Sequence, residues 1–332
     1  MKEAAAALHR RAVVVDAHCD TVLDLAAGRR RLGVRSAQGH VDLPRLREGG
    51  VDVQFFAHFV EPRCRREQAL KRFLELYDAF MAEAEANARD LAVVSTWTQL
   101  EEALAQGRIA AVIAIEGGDL LCGSLEVLRC LRRLGVGVLG LTWNERNDLA
   151  DGVGEAARAG GLTRFGRQVV AEMNRLGMVI DVSHLAEPGF WDVLDLTSQP
   201  VIASHSNARA VCDHVRNLTD DQIRALAANG GVMGLNFCPP FVDPHRADVD
   251  RLVDHALHVL ELVGPDHLGL GSDFDGILET PAGLEDAGRF PRLTEALLKR
   301  GVDENTVVKI LGGNFLRVLR QVWGSAPEPS MT

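Results

Sequence analysis

Eight short runs of apolar residues recur along the chain, and each is followed by a stretch with helical periodicity. The runs are continuous rather than alternating, which is typical of parallel strands buried on both faces. They lie at residues 13–19, 51–59, 109–116, 136–143, 177–184, 200–206, 230–237 and 267–273. Eight strands that alternate with helices predict an α/β fold of the (β/α)8 type, the TIM barrel. An open doubly wound sheet is the alternative, but no GxGxxG motif follows a strand to support it.

Helical patterns fill the segments between these runs. The clearest of them cover residues 66–89, 124–134, 163–176, 249–263 and 292–300. Thr98 followed by Glu101 predicts a capping box at one helix start, and Thr219 followed by Gln222 predicts another. His255 and His258 have helical spacing and are interpreted as lying on a solvated helix face.

The chain shows no internal repeat, low-complexity segment or linker that would divide its 332 residues. We therefore expect one catalytic barrel domain over residues 1–325 and a disordered tail over 326–332. The first residues lack the apolar stretch of a signal peptide, and no apolar run reaches the ~18 residues of a membrane span. Six scattered cysteines without a CxxC pair indicate reduced thiols. A cytoplasmic protein with no membrane partner is expected.

The charge of the chain argues against nucleic acid as a partner. The formal net charge is −10, and no basic stripe runs along a predicted element. The one basic cluster, GRRRLGVR at residues 28–35, is short and stands beside glycine. We interpret it as a solvated loop.

Polar and ionisable side chains stand at the carboxyl ends of six of the predicted strands. In a (β/α)8 barrel these ends form the face that carries the chemistry. The residues are His18, Asp20, Glu116, Trp143, Asn144, His184, His205 and Asp273. Burying so many ionisable groups together is costly unless they are paired or bind metal. Their common position therefore predicts a metal site at one rim of the barrel.

The types of side chain indicate which metal fits. Three imidazoles and three carboxylates, with no thiolate in place, suit zinc or a similar divalent ion. Two ions about 3.5–4 Å apart, bridged by one carboxylate and a water, could use five ligands and leave one carboxylate for proton transfer. Asp16, one step deeper on the first strand, is expected to orient His18 or to pack below the metals. Asp275 is expected to support Asp273.

A set of longer motifs extends this pattern over nearly the whole chain. They are DAHCD (16–20), GHVDLPRLREGGVDVQF (39–55), IEGGDLL (115–121), LTWN (141–144), GMVIDVSH (177–184), SHSNARAVCDHVRN (204–217), GLGSDFDG (269–276) and GGNFLRV (312–318). In order and spacing they resemble the membrane dipeptidase (renal dipeptidase) family of zinc dipeptidases, within the amidohydrolase superfamily. The resemblance implies a metallo-dipeptidase that hydrolyses the peptide bond of dipeptides, L-Xaa-D-Xaa included, by attack of a metal-bridging hydroxide. It also implies a possible homodimer.

The resemblance further implies a role for each matching residue. His18 and Asp20 would hold one Zn²⁺, His184 and His205 would hold the second, and Glu116 would bridge both. Asp273 would be the acid/base that transfers the proton, and Arg216 would grip the substrate's carboxylate.

The fourth predicted strand departs from the mammalian members of the family. They carry His after the LT pair, and that His contacts the scissile carbonyl, whereas this chain has Trp143. Some bacterial members are similar in having LTWN. Trp143 and Asn144 are therefore expected to contact the substrate, with Asn144 as the hydrogen-bond donor that stands in for the missing His.

Two other functions compete with the dipeptidase. The first is another hydrolase of the same superfamily, a lactonase or a deaminase. Many of those carry His-x-His on the first strand and some use a carbamylated Lys, whereas this chain has His18, Asp20 and Glu116. The second is a binding barrel without metal, against which the complete set of ligands argues.

Overall fold

The computed structural model describes residues 2–324. The tail predicted over 326–332 lies outside the described residues. One sheet of nine strands forms the centre of the fold. The strands are β1 (Val14–Cys19), β2 (Val51–Phe59), β3 (Leu91–Val94), β4 (Ile109–Glu116), β5 (Val136–Gly140), β6 (Val179–Asp181), β7 (Ile202–Ser206), β8 (Val232–Leu235) and β9 (Leu268–Leu270). All eight predicted runs contain a strand.

The strands close into a parallel barrel. The order around the sheet is β2-β1-β9-β8-β7-β6-β5-β4, and the pairing of β2 with β4 closes the ring. The predicted (β/α)8 barrel is therefore confirmed. One strand, β3, lies outside this ring of eight. It pairs with residues 109–112 of β4, whereas β5 pairs with residues 113–116 of β4. The sequence analysis missed β3 because its four residues lie between two long helical patterns.

Helices surround the barrel and connect its strands. They are α1 (Lys2–Arg11), α2 (Thr21–Ala26), α3 (Leu43–Glu48), α4 (Glu67–Ala86), α5 (Trp97–Ala105), α6 (Leu125–Arg133), α7 (Arg164–Leu176), α8 (Glu187–Leu196), α9 (Asp220–Ala228), α10 (Pro239–Val242), α11 (Val249–Val263), α12 (Phe290–Lys299), α13 (Glu304–Val308) and α14 (Asn314–Gly324). Short 3-10 turns cover 118–121, 153–158 and 287–289, and a π turn covers 309–313. No helix of residues 2–324 combines the length and the apolar composition that a membrane crossing requires.

The predicted helix starts differ in outcome. Thr219 and Gln222 form the expected capping box at the start of α9. The prediction at Thr98 was wrong, because α5 already begins at Trp97 and is capped by Thr96. The Thr96 hydroxyl accepts from the Gln99 backbone N–H at 3.3 Å. The Gln99 side chain reaches the Ser95 backbone N–H instead of the N-cap residue, so no reciprocal box forms there.

The expected solvated helix face at His255 was wrong, whereas the expected solvated loop at residues 28–35 is exposed over most of its length. His255 is fully buried, because position 255 falls in the stripe of α11 that faces the barrel. Its Nδ1 accepts from the Ala208 backbone N–H, and its Nε2 donates to the Val242 carbonyl at 2.9 Å. His258 is half-buried and contacts Asp220 at 2.8 Å. Arg30, from the basic segment at residues 28–35, is also buried, since it pairs with Asp24 and Asp275.

The core has two layers, and the inner layer leaves one end of the barrel open for chemistry. Small and β-branched residues near the strand starts fill the interior, and α14 packs against them with Phe315 and Trp323. Trp323 lies beside Gly137 at the start of β5. The amino-terminal end of the barrel is thus filled by apolar side chains. The carboxyl ends of the strands remain for polar residues, as in other (β/α)8 barrels.

Candidate active site

The structure brings the six predicted metal and acid/base residues together at the carboxyl ends of the strands. His18 lies next to the last residue of β1, and Asp20 directly follows that strand. Glu116 ends β4, His184 follows β6, and His205 lies in β7. The Glu116 Oε1 atom lies 2.9 Å from His184 Nε2, 3.5 Å from His205 Nε2 and 3.8 Å from His18 Nε2. His18 Nε2 lies 3.3 Å from Asp20 and 4.0 Å from Asp273. Five elements far apart in sequence therefore aim ligand-type atoms at one point.

The imidazole rings of His184 and His205 face each other through their Nε2 atoms. His184 Nε2 and His205 Nε2 are 2.9 Å apart. The other nitrogen of His184 meets the Asn144 Oδ1 acceptor at 2.7 Å, so Nδ1 carries the proton and Nε2 does not. Two bare lone pairs at this distance repel unless a cation lies beside them. Burial also holds the pKa of both rings well below its usual value, so a metal ion fits this arrangement better than a proton.

A serine and an aspartate fix the ring of His205. Asp181 Oδ2 accepts from the Ser204 hydroxyl at 2.5 Å, so the Ser204 oxygen is left as the acceptor for His205 Nδ1–H at 2.7 Å. Asp181 Oδ1 also accepts from the backbone N–H groups of Ser183 and Ser204. This series of hydrogen bonds orients the His205 ring and leaves Nε2 free to bind metal, as carboxylate partners of metal-binding histidines do elsewhere. The sequence analysis missed Asp181 and Ser204.

The pKa of His18 is shifted in the direction opposite to that of His184 and His205, because carboxylates surround its ring. His18 stacks on His205 with ring centroids 3.8 Å apart, and its buried Nε2 has no hydrogen-bond partner among the described residues. Burial lowers the pKa of His18, but Glu116 and Asp20 outweigh it and raise that pKa to about 10. Burial raises the pKa of Asp20 to about 6 and of Asp273 to about 7. Carboxylates packed together away from water require a cation, and a divalent ion fits.

Asp16 lies beneath the cluster and ties two strands together. It is fully buried and accepts from the backbone N–H and the hydroxyl of Ser272, both at 2.7 Å. The Gln54 amide donates to it at 3.0 Å. Of the two expected roles, packing below the site is the one that these contacts show. Asp16 joins the end of β1 to the segment after β9, and so it fixes His18 relative to Asp273.

Three site residues adopt backbone conformations that are unusual for non-glycine residues. His184, Asp273 and Asp275 have φ values of 65°, 63° and 68°. Such strain costs of order 1–3 kcal/mol per residue and clusters at functional sites. Asp275 is held by the Thr21 hydroxyl at 2.6 Å and by Arg30. These contacts offset the strain at Asp275, and support of Asp273 by Asp275 stays a prediction.

A cavity of about 270 Å³ opens in front of this cluster and is called the central cavity below. Its polar wall consists of site residues, and its apolar wall consists of side chains large enough to exclude water from a bound substrate. The lining includes Asp20, Glu116, His184, Asp273, Leu23, Phe59, Trp143, Asn144, Phe241 and Ile277. Trp143 packs against Phe59 with ring centroids 5.2 Å apart. Both Trp143 and Asn144 therefore line the cavity, as expected of substrate contacts.

The contacts of Asn144 differ from the one that the sequence analysis proposed. Its Oδ1 atom meets His184 Nδ1 at 2.7 Å, so this end of the amide orients a candidate metal ligand. Donation from Asn144 to a substrate carbonyl stays a prediction.

Arg216 is a buried cation without a counter-ion in contact. Its Nη2 donates to the His205 carbonyl at 3.0 Å and its Nη1 to the Ser206 hydroxyl at 3.4 Å. Its Nε has no hydrogen-bond partner, and its guanidinium makes no ion pair within residues 2–324. Burial lowers the pKa of Arg216, with Asp273 and Glu116 opposing that effect from a distance. A buried, unpaired guanidinium is costly, which favours an anionic ligand at this point.

Arg216 borders a second cavity, of about 220 Å³, on the far side of His184. We call it the lateral cavity. It is lined by the loop that follows β7, by the start of α8 and by the turn at 153–158, and His184 is common to both cavities. The site thus has two compartments on either side of one imidazole.

Together, a closed (β/α)8 barrel and an imidazole–carboxylate cluster at its carboxyl end define a metal-dependent hydrolase. Comparison with known proteins gives the family. The chain belongs to the membrane dipeptidase family, peptidase family M19, which it matches over residues 2–328.

Relatives and solved structures agree with this assignment. Dipeptidase tcpJ from Claviceps purpurea is 38% identical in an alignment of 305 residues that covers 86% of this chain and 69% of that protein. The crystal structure of dipeptidase AC, a metallo peptidase of family M19, superposes with a TM-score of 0.89 at 32% identity and covers 95% of this chain and 99% of that one. A metallo peptidase from Rhodobacter sphaeroides, liganded with a phosphinate mimic of the dipeptide L-Ala-D-Ala, gives 0.88 at 31% identity, covering 94% and 99%.

The protein is therefore a metallo-dipeptidase, and the resemblance drawn from the motifs is confirmed. Its substrates are small dipeptides. This result decides against the lactonase, the deaminase and the metal-free binding barrel.

Proposed function

We propose that this enzyme hydrolyses dipeptides that end in a free carboxylate, L-Xaa-D-Xaa dipeptides included, at a site for two zinc ions. The observation that carries the proposal is the buried, unpaired guanidinium of Arg216 beside the imidazole–carboxylate cluster. A planar guanidinium binds carboxylates bidentately, so Arg216 would hold the C-terminal carboxylate. Internal peptide bonds lack that group, so this contact selects the C-terminal peptide bond, which in a dipeptide is the single bond present. The structure of the Rhodobacter sphaeroides relative with its L-Ala-D-Ala mimic supports the D configuration.

The contacts of the cluster support a division of its ligands between two ions. His18 and Asp20 would hold one zinc, His184 and His205 the other, and Glu116 would touch both. In support, Glu116 Oε1 is the atom that approaches all three imidazoles. Asp20 and Glu116 contribute two negative charges against four positive ones, so the site stays positive. When bound, the ions polarise the scissile carbonyl and lower the pKa of water at the site.

Asp273 is the residue best placed to move a proton. Its Oδ2 accepts from the Asn236 amide at 3.0 Å, while Oδ1 faces His18. A carboxylate at this position can both accept and release a proton. We propose that Asp273 takes the proton of the attacking water and returns it to the leaving amine. Phe59 and Trp143 would exclude bulk water on the opposite wall.

The carboxylate contact is tested with a substrate pair and a variant. Amidating the C-terminus of a good dipeptide should abolish most turnover. Arg216→Met should lower kcat/KM for the free dipeptide, which corresponds to a loss of about 2–4 kcal/mol in transition-state stabilisation, because a buried charged partner is lost. The amidated dipeptide should be hydrolysed equally slowly by both proteins.

The matched control is Arg132→Met. Arg132 is a half-buried arginine whose Nε donates to the Leu176 carbonyl at 3.2 Å, and it lies outside the site. This variant should keep the full preference for the free carboxylate. Equal wild-type rates on free and amidated dipeptides would refute the proposed role of Arg216.

A further inference from the structure

Besides Arg216, the lateral cavity is lined by positively charged groups that have no role in the proposed reaction. Arg209 and Arg216 both line it, and so does the amino-terminal end of α8. If Arg216 holds the main-chain carboxylate of the substrate, the other two features have no assigned partner. They line the same cavity as Arg216.

Arg209 has hydrogen-bond donors that are not used within the described residues. It is half-buried, and its Nε donates to the His214 carbonyl at 3.1 Å. The carboxylate nearest to it, on Asp213, is 3.9 Å from Nε and almost fully exposed. Its two η nitrogens make no hydrogen bond among the described residues. A half-buried guanidinium with free η nitrogens at a cavity wall is suited to bind an anionic group.

The start of α8 adds unsatisfied donors on the same cavity. Ala186 occupies the N-cap position and has no side-chain acceptor, so no side chain caps the helix. The first-turn N–H groups of Glu187 and Gly189 therefore remain available, and the helix dipole favours an anion there. A buried side chain with a free donor also points to a ligand in this cavity. Arg216, which is 4% exposed, also borders the cavity with its unpartnered Nε.

The size and walls of the cavity limit what can bind. A volume of about 220 Å³ leaves room for a side chain of a few non-hydrogen atoms. The walls include Val153, Leu185 and Val215, which suit a short aliphatic stem. Glu187 is the one carboxylate in the lining, and it is exposed and accepts from the Trp191 indole N–H at 3.3 Å. The cavity thus fits a short side chain with a negative end.

We infer that the lateral cavity binds the side chain of the C-terminal residue, and that Arg209 and the start of α8 select a side-chain carboxylate there. The preferred substrates would be dipeptides that end in Glu or Asp. This inference rests on the proposed function, because it takes Arg216 as the group that holds the main-chain carboxylate.

The test compares two isosteric substrates that differ by one charge. L-Ala-Glu and L-Ala-Gln, each with the L and the D form of its C-terminal residue, are assayed with the zinc-loaded wild-type enzyme and two variants. The wild-type kcat/KM should favour Glu over Gln by about tenfold or more, the size of effect expected for one charge-assisted contact. Arg209→Gln should bring that ratio close to one by lowering kcat/KM for the Glu substrate. Glu187→Gln should raise the ratio above the wild-type value, since it removes the opposing charge.

The matched control is Arg224→Gln, which changes the net charge by the same amount. Arg224 is exposed on α9 and pairs with Asp221. It should leave the Glu-to-Gln ratio unchanged, and an equal loss in this variant would overturn the inference in favour of long-range charge. An unchanged ratio in Arg209→Gln, or an equal loss on both substrates, would also overturn it. Failure of the wild-type enzyme to cleave either substrate, or any other dipeptide, would instead overturn the proposed function and the inference with it.

Discussion

Asp273→Asn is expected to lower kcat by about 10²–10⁴-fold while the enzyme keeps its metal content. Asparagine preserves the size of the side chain and can still contact Asn236, but it cannot shuttle a proton. Five other side chains remain to hold metal: His18, Asp20, Glu116, His184 and His205. The variant should therefore still bind a phosphinate mimic of a dipeptide. Metal analysis, inhibitor titration and kinetics on one purified protein measure all three properties.

The control for this variant is Asp266→Asn. Asp266 precedes β9 at the opposite end of the barrel and pairs with the exposed Lys309, so the same chemical change there should leave kcat within about twofold. Loss of metal in Asp273→Asn would make Asp273 a necessary ligand. Retained metal with a near-normal kcat would mean that the proton leaves by another route.

Glu116→Gln is expected to lower metal content and activity together. The Oε1 atom of Glu116 lies within 4 Å of three imidazole nitrogens, so it is the carboxylate that contacts all three histidines of the cluster. Replacing it with an amide removes a negative charge from the buried site and can turn an N–H group towards the ions. We expect metal affinity to fall by at least about 100-fold, the upper range seen when residues that merely support metal ligands are mutated. Equilibrium dialysis against zinc measures the change.

Glu101→Gln serves as the control for the bridging residue. Glu101 is exposed on α5, and its loss should affect neither zinc binding nor turnover. Full zinc occupancy with normal turnover in Glu116→Gln would refute the two-ion assignment.

The barrel could be predicted from the sequence because its strands are buried on both faces. Strands of that kind are continuous apolar runs, and eight of them stand out between helical patterns. β3 could not be recognised in the same way, since Leu91–Val94 is short and adds to one edge of β4 outside the ring. The burial of His255 depends on which stripe of α11 faces the barrel. A polar residue in a helical pattern predicts an exposed position, whereas His255 is buried and hydrogen-bonded to two backbone groups.

The residues at the strand ends could be placed from sequence, but their supporting contacts could not. A polar residue after an apolar run marks the rim of a barrel whatever its partner is, and this rule located His18, Glu116 and His205. Arg30 and Asp275 are separated by 245 positions, and only the folded chain brings them together. Asp181 ends β6, and its spacing of three from His184 is a weak signal that a supporting carboxylate lies near the histidine pair.

The most direct test of this account is a zinc titration of the metal-free protein while the hydrolysis of L-Ala-D-Ala is followed. The account predicts no turnover without metal, and activity that rises to a plateau at two zinc ions per chain. A plateau at one ion would contradict the bridged pair of ions. Full activity in the metal-free protein, or no hydrolysis at any zinc concentration, would contradict the account as a whole.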